Sequence, residues 1–350
     1  MTSTDRRINM PANSIQQRDV NAVLRPFATP EYLRPILLFL VDASLVAAIL
    51  WMSLRAESTW AKILWSIPGG LMIGILFVIG HDACHGSLTP SRWLNRLLGT
   101  LAFLPSLHSF TLWDLGHNRI HHRFTNLKTV DYVFRPLSPE EYRALPWAKR
   151  LLYRIERSPW GHGVYYFRIW ITKMVFPLTG DLPRTTVYHW MDTALLVLFA
   201  AVFSFWCVDT WGWRSFLLGP VAAFLFWNHV MGFVIYLHHT DPTVTWYKDE
   251  KEWEFTEAQL AETTHVRFPK PMNLLLHHIL EHTAHHLRPM IPLYRLGKAQ
   301  AALERAFPSK VKVIDWTPTR YIRSTKVCKL YDFDNKVWLD FDGRQDHSNH

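Results

Sequence analysis

Cysteine is scarce in this sequence, and the three cysteines that occur are poorly placed for a shared site. Cys84, Cys207 and Cys328 are far apart and form no CxxC pair. This pattern argues against a disulfide scaffold, a zinc ribbon and a cysteine-held iron–sulfur cluster. The HExxH motif of zinc metalloproteases, the GxGxxG dinucleotide fingerprint and an HPGG haem-domain signature are also absent from the sequence. The sequence therefore shows no attached electron-carrying domain.

The N-terminus lacks a secretory signal, and the positive charges lack a single cluster. Residues 1–20 show no basic segment followed by an apolar one, so we expect residues 1–30 to form a loosely ordered cytoplasmic arm. The formal net charge is +9, but the basic residues lie between apolar runs rather than in one patch. This distribution favours the cytoplasmic face of a membrane protein and argues against nucleic acid as a partner.

Long apolar runs dominate what the sequence does contain. Hydrophobic residues make up 49% of the chain and aromatic residues 14%. Four runs are each long enough to cross the hydrocarbon core of about 30 Å as a helix: residues 35–54, 60–80, 190–208 and 216–237. Short polar links join the first run to the second and the third to the fourth. The sequence therefore predicts an all-α integral membrane protein, with four transmembrane helices in two hairpins.

The sections that follow each hairpin are polar, basic and aromatic. We expect residues 81–187 and 238–305 to form a helical cap on the cytoplasmic side, because arginine and lysine concentrate there. Within the first section, residues 93–110 are apolar but are interrupted by Gly99 and Pro105. This interruption favours an interfacial or re-entrant segment over a fifth span.

The chain beyond the cap has a different pattern. Residues 31–305 would make one membrane domain, and residues 306–350 a C-terminal cytoplasmic segment. Polar and apolar residues alternate across residues 310–341, which predicts a small strand-rich part.

Three histidine motifs follow the apolar runs. The first, second and third motifs are HDACH at residues 81–85, HNRIHH at residues 117–122 and HTAHH at residues 282–286. Positions three or four residues apart share one face of a helix, so the imidazoles of a motif converge. Converging neutral imidazoles are ligands for a transition metal, although zinc, copper, iron and nickel all accept them. In the predicted topology all three motifs lie on the cytoplasmic face, which places a metal site there.

The number of histidines exceeds what one metal ion needs. The three motifs supply eight imidazoles. Further candidates lie directly after the last apolar run and upstream of the third motif: His238, His239, His277 and His278. Eight or nine ligand nitrogens suit two metal ions with four or five ligands each.

Carboxylates are few inside the motifs, whereas soluble di-iron bundles are built on glutamate. Polar residues beside the histidines are better suited to accept the second N–H of a ligand imidazole, which orients the ring. The candidates for this role are Asp82, Asn118 and Glu281, together with Asp114 and Asp131.

Three spaced histidine motifs combined with two apolar hairpins resemble the membrane fatty acid desaturase superfamily over residues 35–303. The resemblance implies a cytoplasmic centre of two iron ions and the O2-dependent removal of two hydrogens from a fatty acyl chain. It implies as metal ligands His81, His85, His117, His121, His122, His239, His282, His285 and His286, with His278 as an additional candidate. A separate ferredoxin or cytochrome b5-type protein is then expected to supply two electrons.

Finer features direct the resemblance to the acyl-lipid branch of that superfamily. The stretches YLHHTDP at residues 236–242 and HTAHHLRPMIPLY at residues 282–294 look most like its Δ12/ω-3-like members. The second motif departs from many relatives, because three residues rather than two precede its paired histidines.

Other outcomes on the same scaffold stay open at this point. Hydroxylation, ketolation, or oxidative decarboxylation of a free fatty acid to a terminal alkene would need the same histidine motifs. A membrane metal transporter belongs to a different class, but a transporter places its ligands near the bilayer midplane. Here the histidines cluster at helix ends on one side, which favours an O2-dependent oxidoreductase, most of all a fatty acid desaturase.

Overall fold

A computed structural model describes residues 15–178 and 187–345. Parts of the predicted N-terminal arm (residues 1–14) and C-terminal tail (residues 346–350) lie outside the described residues. The α-helices, in chain order, are α1 (Gln17–Leu24), α2 (Leu33–Arg55), α3 (Thr59–Cys84), α4 (Arg92–Phe103), α5 (Phe110–Trp113), α6 (Pro139–Ala144), α7 (Trp147–Glu156), α8 (His162–Ile169), α9 (Val187–Phe216), α10 (Ala222–His239), α11 (Phe255–Ala261), α12 (Lys270–Leu275), α13 (His282–Leu287), α14 (Leu293–Ala306) and α15 (Pro318–Val327). The protein is thus mostly helical, as predicted.

Three helical stretches in the described residues are long and apolar enough to cross a membrane: Leu33–Arg55, Thr59–Cys84 and Val187–His239. The last stretch has 53 residues, or about 80 Å if straight, which far exceeds one hydrocarbon core. Gly212 interrupts it with φ 77° and ψ 163°, a conformation that favours glycine and breaks the helix. The third and fourth predicted runs therefore lie on either side of Gly212.

Helix α3 lies at the centre of the protein and packs against α2, α4 and α10. Ser58 caps it by accepting a hydrogen bond from Ala61 N. Pro68 lies within α3 and does not end it. Gly70 lets α10 approach closely, because a Cβ at this position would lie 2.5 Å from the carbonyl oxygen of Ala223. This contact sets α3 and α10 side by side, so that their C-terminal ends meet.

Shorter helices surround this pair. Helix α4 packs on α3, and α8 packs on α10. Residues 93–110 do not form a membrane-length helix, since α4 ends at Phe103 and α5 begins at Phe110. Trp93 on α4 is 70% exposed, which suits the interfacial position that the sequence predicts.

The described part of the N-terminal arm is ordered, contrary to expectation. Helix α1 packs on α14 and fully buries Val20 and Leu24. Asn21 Oδ1 also accepts a hydrogen bond from Arg288 Nη1 at 3.0 Å. Two apolar side chains four residues apart are enough to dock a two-turn helix, although the segment is polar on average.

The strands are short and form two separate sheets. Strand β1 (Thr264–Arg267) pairs in parallel with β2 (Lys312–Asp315), and β3 (Leu330–Asp332) pairs antiparallel with β4 (Val337–Leu339). The predicted strand-rich C-terminal part is therefore only partly strand, because helix α15 lies between β2 and β3. Strand β2 pairs with β1, which precedes the third motif in the chain, so residues 312–315 are joined to residues 264–267.

Candidate metal centre

Several elements end at one place and bring the histidine motifs together. Helix α3 carries His81 in its last turn, and His85 follows at its C-cap. Helix α10 ends at His239. The third motif forms helix α13. The close packing of α3 on α10 thus positions two of the contributing segments, and the second and third motifs supply the others.

The second motif lies in a π-helical turn, Asp114–His121. The His122 N–H donates to the carbonyl oxygen of His117, five residues earlier, at 2.9 Å. This wider turn puts His117 and His122 on one side, with their Nε2 atoms 3.1 Å apart. π-Turns are rare and are frequent at functional sites. The unusual spacing of the second motif therefore has a structural counterpart in the width of the turn.

The nine histidines that the resemblance implies as ligands form two adjacent groups. The ligand atoms of each group all lie within 4.8 Å of one another. The five-histidine group contains His81, His85, His117, His122 and His285. The four-histidine group contains His121, His239, His282 and His286. The groups are neighbours, since the rings of His122 and His286 stack with centroids 4.1 Å apart.

The spacing of the ring nitrogens suits bound cations better than hydrogen bonds between rings. His117 Nε2 lies 2.8 Å from His81 Nε2 and 3.1 Å from His122 Nε2. In the four-histidine group, His239 Nε2 makes two contacts of the same kind, at 2.9 and 3.1 Å. One nitrogen carries at most one hydrogen, so a single N–H cannot be donated in both contacts. A cation between the lone pairs removes this conflict.

Buried ring nitrogens without a partner support the same reading. Among the described residues, the unpartnered atoms within the two groups are His85 Nε2, His122 Nδ1, His239 Nδ1, His282 Nδ1, His285 Nδ1 and His286 Nε2. Leaving a buried polar group without a partner costs about 1–3 kcal/mol. Metal ions bound by the free nitrogens of His85 and His286 would recover part of this cost.

Burial keeps most of these imidazole rings neutral. It lowers the pKa of six of these histidines well below 6.5, and neighbouring imidazoles lower it further. The six are His85, His117, His122, His282, His285 and His286. Neutral imidazole offers a lone pair, which is the form that binds a metal. The donor set therefore fits two transition-metal ions held by imidazole.

Two carboxylates determine which nitrogen of a ring faces the groups. His81 Nδ1 donates to Asp82 Oδ1 at 3.2 Å, and His121 Nδ1 donates to Asp131 at 3.1 Å. Each bond leaves the Nε2 lone pair directed into a group. Asp131 is itself held by the backbone N–H of Asn126 and of Val133, at 2.9 and 3.0 Å. These carboxylates thus orient rings from both groups.

The other polar residues predicted beside the ligands make different contacts. Glu281 Oε1 accepts from His278 Nδ1 at 2.9 Å, and His278 lies outside the two groups. The side-chain amide of Asn118 donates to the Cys84 carbonyl and to Asp114, so Asn118 ties the second motif to the first. The predictions that His278 binds metal and that Asn118 orients a ring remain without a supporting contact.

Sequence reasoning missed Gln259. Its Oε1 accepts from His286 Nδ1 at 2.7 Å, and its Nε2 donates to the His122 carbonyl at 2.7 Å. Gln259 lies in α11, in a stretch without a histidine motif. No sequence signal marks it, because its role depends on how α11 packs on α13.

Replacing Asp131 by asparagine is expected to lower metal affinity by about 10–100-fold, because an amide accepts the His121 N–H less strongly than a carboxylate. The metal content of the purified protein after dialysis against a graded chelator measures this. Asp114→Asn is the matched control, since Asp114 bonds Asn118 and Arg119 rather than an imidazole. Equal metal retention in the two variants would contradict the orienting role.

An apolar cavity begins at the two groups and follows α3 and α10. Its empty space is about 950 Å³, part of it open to the surface. It extends along α3 from His81 to Leu71, about 15 Å of helix. Trp227 on α10 forms its deep end together with Gly74. Away from the histidines at one end, the cavity is lined mainly by aliphatic and aromatic side chains.

Buried hydrogen bonds of His108 hold one of the aromatic side chains that line the cavity. His108 Nδ1 donates to the Ser106 carbonyl, and its Nε2 accepts from the Tyr166 hydroxyl, both at 2.8 Å. Burial lowers the pKa of His108 to about 3, so the ring remains the neutral acceptor that this geometry needs. Tyr166, which lines the cavity, is thereby kept in place.

Comparisons with known proteins agree on one family. Residues 57–318 match the family model described as fatty acid desaturase. The chain is 33% identical over 284 residues to an sn-1 oleoyl-lipid 12-desaturase of Synechocystis, covering 77% of this chain and 76% of that protein. It is 31% identical to the protein of the same name from Anabaena variabilis, covering 78% and 77%. It is 27% identical to the chloroplastic omega-6 fatty acid desaturase of Glycine max, covering 84% and 68%.

Proposed function

This chain belongs to the fatty acid desaturase family, and we propose that it introduces a double bond into an acyl chain of a membrane lipid. The protein is an oxidoreductase that acts on fatty acids. The observation that carries the finer proposal is the position of the two histidine groups at one end of a long apolar cavity. A flexible hydrocarbon chain fits such a space, and the reacting carbons would lie where His81, His117 and His282 line it.

Two iron ions held by the histidine groups would, with O2, supply the oxidising power that side chains lack, because an unactivated methylene has no acidic proton. The reaction balances when two hydrogen atoms leave adjacent methylenes and a C=C bond forms. O2 then becomes two waters with two more electrons and two protons from outside. We propose a separate ferredoxin or cytochrome b5-type protein as the electron donor.

The residues of the chain position the substrate and exclude water. Apolar side chains from α3 and α10 surround the acyl chain, and its carboxyl end with the head group stays at the polar surface. The methyl end then points towards Trp227. Asp82 and Asp131 keep the His81 and His121 rings oriented throughout, and the buried groups admit little bulk water.

We further propose that the chain crosses the membrane four times, with Val187–His239 crossing twice around Gly212. Two crossings before the first motif and two before His239 would put all three motifs on one face. That face is the cytoplasmic one if the arginine- and lysine-rich sections remain inside. The exposed apolar side chains of α2 and α9 support lipid contact.

The relatives named oleoyl-lipid 12-desaturases support an oleoyl chain esterified in a glycerolipid as the substrate. Expression in a host that makes oleoyl lipids and a reducing ferredoxin is expected to yield a C18 acid with two double bonds, absent from cells with an empty vector. Gas chromatography with mass spectrometry of total lipids and headspace volatiles measures the products.

The other products identify the alternatives. A volatile alkene one carbon shorter than a host acid would select the decarboxylase, and a hydroxy acid the hydroxylase. Stoichiometric metal without O2-dependent lipid turnover, in cells with a working electron donor, would contradict the proposal and favour metal transport.

A further inference from the structure

Helix α2 carries a buried acidic residue that the proposed reaction does not use. Asp42 is 5% exposed and lies about 13 Å along the helix from its first residue. An ionisable group in an apolar membrane-length helix is costly unless it is paired, and such groups usually serve a function. The partner is His277, whose Nε2 donates to Asp42 Oδ2 at 2.6 Å.

His277 belongs to the loop between α12 and α13, outside the two histidine groups. His277 and His278 are consecutive and have φ of 49° and 60°, the left-handed region that side chains other than glycine seldom adopt. Such a conformation persists only where the surroundings hold it. Two side-chain hydrogen bonds hold this conformation, one from His277 to Asp42 and one from His278 to Glu281.

The loop forms a thin wall between the cavity and the outside. Leu276 and Ile279 line the cavity and are only half-buried. Met272, Leu274 and Leu275 are exposed on the same segment, Leu274 by 66%. Irregular backbone at membrane depth is tolerated only where it is buried in protein or lines a cavity. One layer of side chains thus separates the cavity from the surface on which the exposed leucines lie.

We propose that residues 272–280, the wall segment, are the entrance through which an acyl chain passes from the bilayer into the cavity. The Asp42–His277 hydrogen bond is the latch that holds this entrance closed. The rest of the cavity is lined mainly by residues of α3, α8 and α10. Among the described residues, one buried side-chain hydrogen bond joins the wall segment to the membrane-length helices.

The substrate explains why an entrance in the side of the protein is needed. A glycerolipid has a bulky polar head group that stays at the membrane surface, so its chain enters an enclosed cavity sideways rather than by threading. This inference rests on the proposed function, namely that the cavity takes an acyl chain. The exposed apolar face of the wall segment is compatible with lipid tails on its outer side.

Opening is measured by the reaction of N-ethylmaleimide with Ile279→Cys in purified protein in nanodiscs of dioleoyl phosphatidylglycerol. Adding Asp42→Leu is expected to raise the labelling rate of Cys at 279 by about tenfold or more, the effect of losing one hydrogen bond to a charged group. Mass spectrometry of the labelled peptide separates this site from the native cysteines, of which Cys207 and Cys328 are buried.

Three controls distinguish unlatching from general loosening. Ser66→Ala removes a buried hydroxyl of α3 that bonds only locally to Ile63, and it should leave labelling unchanged. Ile169→Cys on α8, which lines the cavity outside the wall segment, should label slowly with or without Asp42→Leu. Adding His277→Asn, which tolerates a left-handed backbone, should give no further increase, because both changes open one latch.

The latch would be overturned if the Ile279→Cys protein and the double variant with Asp42→Leu label at equal rates and contain equal amounts of iron. If the leucine variant loses iron, His277→Asn with Asp42 in place shortens the donor side chain, breaks the same hydrogen bond and gives the same comparison. Lipid desaturation by the otherwise wild-type protein is assayed separately in the same nanodiscs, with O2 and a reduced ferredoxin that supports a known desaturase under the same conditions. Absence of desaturation would contradict the proposed function, whereas the labelling result would still decide whether the wall segment opens.

Discussion

Replacing His285 by alanine is expected to reduce lipid desaturation to background, a loss of more than about 100-fold. Removing a carboxylate that merely orients a ligand costs about 10–100-fold, and removal of a ligand itself costs more. His285 lies at the centre of the five-histidine group, with its ring centroid 4.6 Å from that of His81. The measurement is the yield of the new double bond in membranes with equal amounts of protein.

His265→Gln is the matched control for this experiment. His265 is also buried, but its Nδ1 donates to Glu304 and it belongs to neither group. Its replacement should retain most of the activity. Comparable losses in both variants would indicate that any buried histidine supports the fold, and the specific role of His285 would then be wrong.

Replacing Gly74 by leucine is expected to shift the substrate preference towards shorter acyl chains. Gly74 lines the deep part of the cavity, where a Cβ would already lie 3.3 Å from Trp227 Cδ1. A leucine there removes room for the methyl end. Each excluded methylene forfeits about 0.8 kcal/mol of apolar burial, so two methylenes lower the C18 to C16 ratio of kcat/KM by more than about tenfold.

Competition between C16 and C18 monounsaturated lipids measures this ratio in one sample. Leu76→Phe is the control, because Leu76 lies on another face of α3 and lines a second apolar cavity. It adds bulk to the same helix and should leave the ratio unchanged. An unchanged ratio with Gly74→Leu, in an enzyme that still turns over, would show that the chain does not extend towards Trp227.

The family and the meeting of the histidine motifs could be predicted from local pattern. Three short motifs with helical spacing, each after an apolar run, indicate which side chains converge, and the family matches confirm the resemblance. The choice between His238 and His239 came from resemblance. In the structure only His239 joins a group, because consecutive helical residues point about 100° apart.

Other features depended on long-range contacts that local pattern does not carry. A π-turn has no composition signal, so the geometry of the second motif was not predicted. Asp42 interrupts an apolar run, but nothing local indicates its partner His277, which lies 235 residues later. Gln259 was missed for the same reason, and the cavity exists only after α3 packs on α10.

The number of iron ions bound per chain tests the central claim most directly. Inductively coupled plasma mass spectrometry on protein purified from iron-supplied cells is expected to give two irons per chain in the wild type. His285→Ala should retain about one, since the four-histidine group is intact in that variant. Stoichiometric zinc in place of iron, or a single iron in the wild type that His285→Ala leaves unchanged, would contradict a two-iron desaturase centre built from the two histidine groups.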